Sequence, residues 1–361
     1  MNKELAGVFG RRLQQARTMR ELSLRGLSEA LKGVVSHNAL AKYEAGAMMP
    51  GSAVLIALAK TLDQSLDFFF RPFQIQLSEV RFRRKSRLGE KRQQAIREKA
   101  SDFFERYHEI EQLTGDIRSF QPIFTDRKVS TPEDTEALAD ELRKEWNLGT
   151  DALPNVQELL EDKGIKVFDL DLDDTAFDGL AAETNAGHVI VLASHLKHNL
   201  PRKRMTEVHE LAHVVLPIPS GLDEKQEEAM ARRFAGAFLM PASSFTEAFG
   251  RHRTGLSLGE LIALKAQFGA SIMSIMKRAQ HLTLISDHDY LGFCKFASKA
   301  GWRSGEKEPG NDQWKGREQN FRFERLVMRA VSEETISAAK GAALLNKSLE
   351  EFRELFQEVV A

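Results

Sequence analysis

The sequence predicts a mainly α-helical protein with one small sheet: a helical amino-terminal part, a central α+β part and a helical carboxy-terminal segment. Apolar residues recur at helical spacing over most of the 361 residues. The period changes between residues 153 and 192, where IKVFDL, FDGLAAET and HVIVL are short enough to be strands. A chain of this length also calls for two or three cores.

The elements follow in order. Residues 1–70 hold five short helices, with nine Lys and Arg against six Asp and Glu. From Arg71 to Lys99 the balance is ten to three, concentrated in RFRRKSRLGEKR. From Glu90 to about Leu113 a helix carries Ala95, Phe103, Phe104, Tyr107 and Ile110, and Gly115 is its stop. STPED, with Pro132 in its first turn, opens a helix bearing Leu138, Leu142 and Trp146. NVQELLEDKG stops at Gly164, the three strand runs follow, and NAG at 185–187 reads as a hairpin turn. Helices resume from about Pro201 to Gln280, and the Gly-rich AGWRSGEKEPGNDQWKG separates them from a last helical piece. The expected domains are 1–70, a basic helical linker at 71–132, a central domain at 133–285 and a helical region at 286–361.

Composition sets outer bounds. Apolar residues at 42% and charged residues at 29% describe an ordinary globular chain. A net charge of -1 requires any nucleic-acid binding to come from a local patch. The single cysteine, Cys294, cannot form an internal disulfide and fits a reducing compartment; near Phe293 and Phe296 it reads as a small buried hydrophobe. No window approaches about eighteen consecutive apolar residues and MNKELAGVFGRRLQQAR lacks a signal-peptide core, so the expectation is a cytoplasmic protein without membrane contact.

SLRGLSEALKGVVSHNALAKYEAG reads as a helix, a break at Gly33, a serine cap at Ser36 and a second helix ending at Gly46. That is a helix-turn-helix layout, whose second helix enters the major groove. The segment resembles the Cro/C1-type family, with Arg12 and Arg17 in the first helix, Leu27 and Leu31 in the second, Glu44-Ala45-Gly46 closing the recognition helix and Pro50 following. The resemblance implies that Ser36, His37, Asn38 and Lys42 contact DNA, and that Glu44 pairs with an arginine of the first helix. Asn38 can offer a paired donor and acceptor to adenine. The small Gly33-Val34-Val35 turn leaves room for a one-residue shift of these positions. The basic run after residue 80 would add phosphate contacts, or would simply be a solvated helix start.

EVHELAHVVL carries the chemistry. His209 and His213 lie one helical turn apart on one face, where two imidazoles can hold one divalent ion. Glu210, on the neighbouring face, can reach a water on that ion, which is the established role of the glutamate in HExxH peptidases. A third ligand is required, and DEKQEEAMARRFAGAFLMP offers Glu224, Glu227 and Glu228; helical angle alone does not choose among them. His188, His195 and His198, around the last strand and its exit, are weaker candidates for contacting substrate or an oxyanion.

PRKRMTEVHELAHVVL and EEAMARRFAGAFLMP together resemble the ImmA/IrrE family of metallopeptidases, over about residues 80–355, including FRRKSRL, ERYHEIEQLTG and SAAKGAALLNKSLEEF. The resemblance implies a zincin-like central domain, a third ligand thirteen residues before the proline of LMP, which is Glu228, and cleavage of Cro/C1-type repressors that releases stress-response or mobile-element genes. The family often has a glutamate and an asparagine where this chain has Met230 and Arg232. Zn2+ suits a His, His, Glu set, with Mn2+ or Fe2+ as alternatives.

The expected function is a DNA-binding transcriptional regulator carrying a metal-dependent peptidase that cleaves a repressor-type protein, with Glu210 as general base. Its expected partners are a double-stranded DNA operator, a protein substrate and, by analogy with two-fold operators, a second copy of the chain. The competing expectation is a non-proteolytic transcription factor whose HExxH domain senses a metal, a ligand or a partner. An antitoxin-like role would rest on the helix-turn-helix alone.

Overall fold

The computed structural model describes residues 3–73, 77–80, 89–124, 127–171, 177–219, 221–251, 255–305 and 307–356. The strongest part of the basic run, RFRRKSRL at 81–88, lies outside the described residues.

The amino-terminal unit is built from α1 (Lys3–Met19), α2 (Leu24–Ala30), α3 (His37–Glu44), α4 (Ser52–Leu62) and a 3₁₀ turn (Asp67–Phe70). Phe9, Leu13, Leu27, Leu40, Leu58, Leu62 and Phe69 fill its core. Ser23 and Ser36 cap α2 and α3 by accepting from the amides of Gly26 and Ala39, so the turn residues 33–35 leave α3 starting at His37. Where α1 crosses the end of α3 only glycine fits: a Cβ on Gly10 would lie 2.5 Å from the carbonyl oxygens of both Tyr43 and Glu44. Arg17 grips Glu44 with both Nε (2.6 Å) and Nη2 (2.9 Å), which ties the recognition helix to α1.

The sheet has four strands in the order β1-β3-β4-β2, with β1 (Leu77–Val80), β2 (Lys166–Leu170), β3 (Gly179–Thr184) and β4 (Gly187–Ala193). β3 pairs antiparallel with β1 and β4, and β2 runs parallel to β4. The hairpin closes at residues 185–186, where Thr184 Oγ1 accepts from the Ala186 amide (3.0 Å) and donates to the Gly187 carbonyl (2.8 Å). β4 is apolar on both faces because both are covered: Ile190 and Leu192 join the central core, while Val189, Val191 and Ala193 face α5 (Glu90–Thr114).

α5 occupies much of the stretch expected as a linker, and it is packed on several sides. Ile96, Ala100 and Phe104 cover the sheet, whereas Phe103, Tyr107 and Ile110 form another core with α14 (Arg322–Ser332), α15 (Ala338–Leu344) and α16 (Leu349–Leu355). Its acids also receive the amino-terminal unit: fully buried Arg12 pairs with Glu105 at 2.7 Å, and Arg71 pairs with Asp102.

On the other face of the sheet lie α6 (Asp134–Glu145), α7 (Val156–Asp162), α8 (Leu200–Val215) and α9 (Glu224–Leu239), followed by α10 (Ala242–Phe249), α11 (Leu258–Phe268), α12 (Ile272–His281) and α13 (Asp287–Lys299). The Gly-rich segment after α13 is a strap rather than a separator. Its Glu308 accepts from Lys265 Nζ (2.5 Å) and the first amide of α12 (2.8 Å). Its Glu318 accepts from the Val156 amide opening α7 (2.8 Å) and pairs with fully buried Arg204 of α8. Cys294, expected as a small buried hydrophobe, is only half-buried beside Tyr290, because α13 lies at the edge of the core and buries only Ala297. No single helix among the described residues is long and apolar enough to cross a membrane.

Candidate metal centre

α8 starts where Asn199 caps the Arg202 amide with Pro201 in the first turn, and it leaves helical geometry at Leu216, just before Pro217. It sits tightly on β3. A Cβ on Gly179 would meet Thr206 Cγ2 at 3.0 Å, the Val191 carbonyl at 3.1 Å and Glu210 Cγ at 3.3 Å, so a bare backbone at this point sets the position of Glu210. α9, capped by Asp223, packs against α8 through a stripe that includes Ala231, Phe234, Ala235 and Phe238.

That packing brings Glu228 to the histidine pair. His209 Nε2 and His213 Nε2 are 3.3 Å apart, and Glu228 Oε1 is 3.5 Å from the first and 3.6 Å from the second. A tetrahedral ion about 2.1 Å from each ligand needs donor atoms about 3.4 Å apart, so the triangle fits a zinc-sized divalent ion. His209, Glu210 and Glu228 are buried and His213 is half-buried, which fits a site open on one side. Of the three glutamates open at the sequence level, Glu228 joins the cluster; Glu224 and Glu227 stay half-exposed near the start of α9. The Glu210 carboxylate has no hydrogen-bond or ion-pair partner among the described residues.

Arg232, at the position where the family pattern departs, donates to Glu228 Oε2 at 2.7 Å and so leaves Oε1 facing the histidines. The other histidines stand apart from the cluster. His188 packs edge-on against Phe120, with burial lowering its pKa, His195 lies 3.4 Å from Asp178, and His198 is exposed.

Sequence reasoning missed the groups beneath this helix. Glu207 is fully buried, and its burial, then the neighbouring Glu318, push its carboxyl pKa well above the usual range. Lys203 of α8 donates to Asp169 (2.8 Å) and to the Glu318 carbonyl (2.9 Å). A signal was present in PRKRMTE, whose charged residues stand on a helix otherwise apolar enough to be buried.

In the amino-terminal unit Ser36, His37, Asn38 and Lys42 are all exposed on one side of α3, with Leu40 and Tyr43 turned into the core. Residues 13–69 match the family model described as helix-turn-helix, and residues 160–280 match that of the IrrE N-terminal-like domain. The chain joins a helix-turn-helix domain to an IrrE-type metallopeptidase-like domain. The helix-turn-helix match supports binding of double-stranded DNA, and the IrrE-type domain implies a metal. That match contains α8 and α9 entire, and it ends before the strap that carries Glu308 and Glu318. A search of curated proteins returns no match.

Proposed function

We propose that the protein is a transcriptional regulator that hydrolyses a peptide bond in a repressor-type protein at the His209, His213 and Glu228 site. The observation that carries this reading is the convergence of three ligand atoms at the helix that also buries Glu210. His209, His213 and Glu228 would hold the ion, and Zn2+ fits the donor set best. When bound, the ion supplies Lewis acidity, lowering the pKa of a water to about 7 and polarising the scissile carbonyl. Glu210 takes the proton of the attacking water on its carboxylate and returns it to the leaving amine. Arg232 fixes the rotamer of Glu228 by holding its second oxygen. Ser36, His37, Asn38 and Lys42 would contact an operator, with two copies of the chain reading its two halves.

Glu210→Gln tests the catalytic part. It should keep metal content and operator binding while losing cleavage of a co-expressed repressor by at least about a hundredfold, as expected for loss of a general base. Equal cleavage by both proteins would sink the proposal. One observation favours a sensing role instead: the guanidinium on Glu228 draws charge from a ligand, which weakens metal binding and suits a reversible site. If Glu210→Gln leaves promoter regulation intact while removal of the helix-turn-helix abolishes it, that second reading replaces the first.

A further inference from the structure

Beside the metal cluster, α8, α9, α12 and α13 line an open pocket of about 880 Å³. Its apolar lining includes Met205, one turn before His209, and Met273; its cations are Arg232, Arg233, Lys277 and Arg278. Arg232 joins cavity and cluster, because it lines the one and donates to Glu228 in the other.

Among the described residues Lys277 alone of these four cations has no direct ion pair: Arg232 pairs with Glu228, and Arg233 and Arg278 meet Glu136. A single oxygen, Glu136 Oε1, serves both Arg233 (2.6 Å) and Arg278 (2.7 Å), so two guanidiniums share one carboxylate. The Lys277 ammonium lies 4.9 Å from the centroid of the Tyr290 ring and donates to Gln280 at 2.8 Å, and neither partner is an anion. Arg232 keeps a largely exposed side chain, so its remaining N–H groups are open. Glu133 and Asp287 are exposed at the rim, where water screens them. His281 registers the resulting field: burial, then Arg233, Lys277 and Arg278, push its pKa down to about 3 and keep it neutral.

We infer that this cavity receives an acidic side chain of the polypeptide substrate, with its carboxylate on Lys277 and the outer N–H groups of Arg232 and its aliphatic stem against Met205 and Met273. The inference rests on the peptidase reading and names a substrate class for it. An ammonium without a direct ion pair beside an apolar floor suits Glu or Asp with an apolar neighbour, and it disfavours a basic segment.

The test uses the full-length Glu210→Gln protein on an array of short peptides in which one position is varied through Glu, Gln, Ala and Lys. Glu-containing peptides should bind about threefold to fivefold more tightly than their Gln counterparts, the difference that charge pairs between partly exposed groups supply. Adding Lys277→Glu, at an exposed position on α12, should invert the preference toward Lys, and Lys277→Gln should abolish it without inversion. No preference for Glu overturns the inference, and so does an undiminished preference in the Lys277→Glu protein, which would place the binding on the basic run elsewhere. Competition by free glutamate as strong as by the peptides also overturns it, assigning the cavity to a small carboxylate. The unsubstituted protein separates the two readings: acidic preference without cleavage of any peptide sinks the proteolytic proposal, and cleavage without acidic preference sinks this one.

Discussion

Gly7 and Gly10 stand one turn apart in α1, yet replacing each by alanine should have opposite effects. In the interior of a helix Ala is favoured over Gly by about 1 kcal/mol. A Cβ at Gly7 meets nothing within 4 Å, so Gly7→Ala should keep that gain. At Gly10 the new atom would lie 2.5 Å from two carbonyl oxygens, about 0.9 Å inside ordinary contact, and both belong to backbone that cannot swing aside. Overpacking of this kind costs about 1–3 kcal/mol, and its upper range applies against rigid backbone, leaving a net loss of about 2 kcal/mol after the helix gain. Hydrogen exchange of the α1 and α3 amides reads this locally without assuming that the whole chain unfolds as one unit. Exchange should slow about fivefold in Gly7→Ala and quicken about thirtyfold in Gly10→Ala, with operator affinity reduced only in the latter. If the two variants shift exchange in the same direction, α1 does not cross α3 as closely as described.

Three further outcomes are expected. Glu318→Ala should cost about 3–5 kcal/mol in urea unfolding followed by tryptophan fluorescence, because Arg204 is left buried without its partner; a loss below about 1 kcal/mol would show that the strap does not hold α8. Burial raises the pKa of Glu161 to about 7, so its contribution is fully present below the unfolded value near 4.5 and is lost as pH rises through about 7. Across that window the folded state should lose on the order of 3 kcal/mol of stability, a slope that Glu161→Gln removes and that denaturant titrations at pH 5, 6 and 7 would detect. Asn38→Ala should cost about 1–3 kcal/mol and relax specificity at one base, whereas Lys42→Ala should weaken all sequences alike and lower the salt slope by about one, both read by titrations at several salt concentrations.

How much of this was legible depended on how far apart the interacting residues lie. HELAH announces itself because its ligands sit four residues apart on one helix, and the strands around Ile190 announce themselves by an apolar run of strand length. Glu228 needed the resemblance, since three glutamates share the start of α9 and only packing against α8 selects the one that meets the histidines. β1 went unread because its partner strand is about a hundred residues away. Buried ion pairs have no period at all: the guanidinium of Arg322 meets the Glu111 carboxylate 211 positions earlier, and nothing local in either segment foretells it. The packing of the strap is illegible for a related reason, because Gly, Pro and charge normally mark solvated chain, and here Glu308 and Glu318 are almost wholly buried against helix amides.

That strap also sets an order of events during synthesis. A ribosome releases the chain from its amino terminus, so the helix-turn-helix core, complete within residues 9–69, can form early. α7, α8 and α12 are all made before the two glutamates that cap or neutralise them, and until residue 318 emerges Arg204 has no acid to meet. A nascent chain would therefore be able to form its helix-turn-helix before the helix that bears His209 and His213 has a settled floor, which comes only once residue 318 has been made.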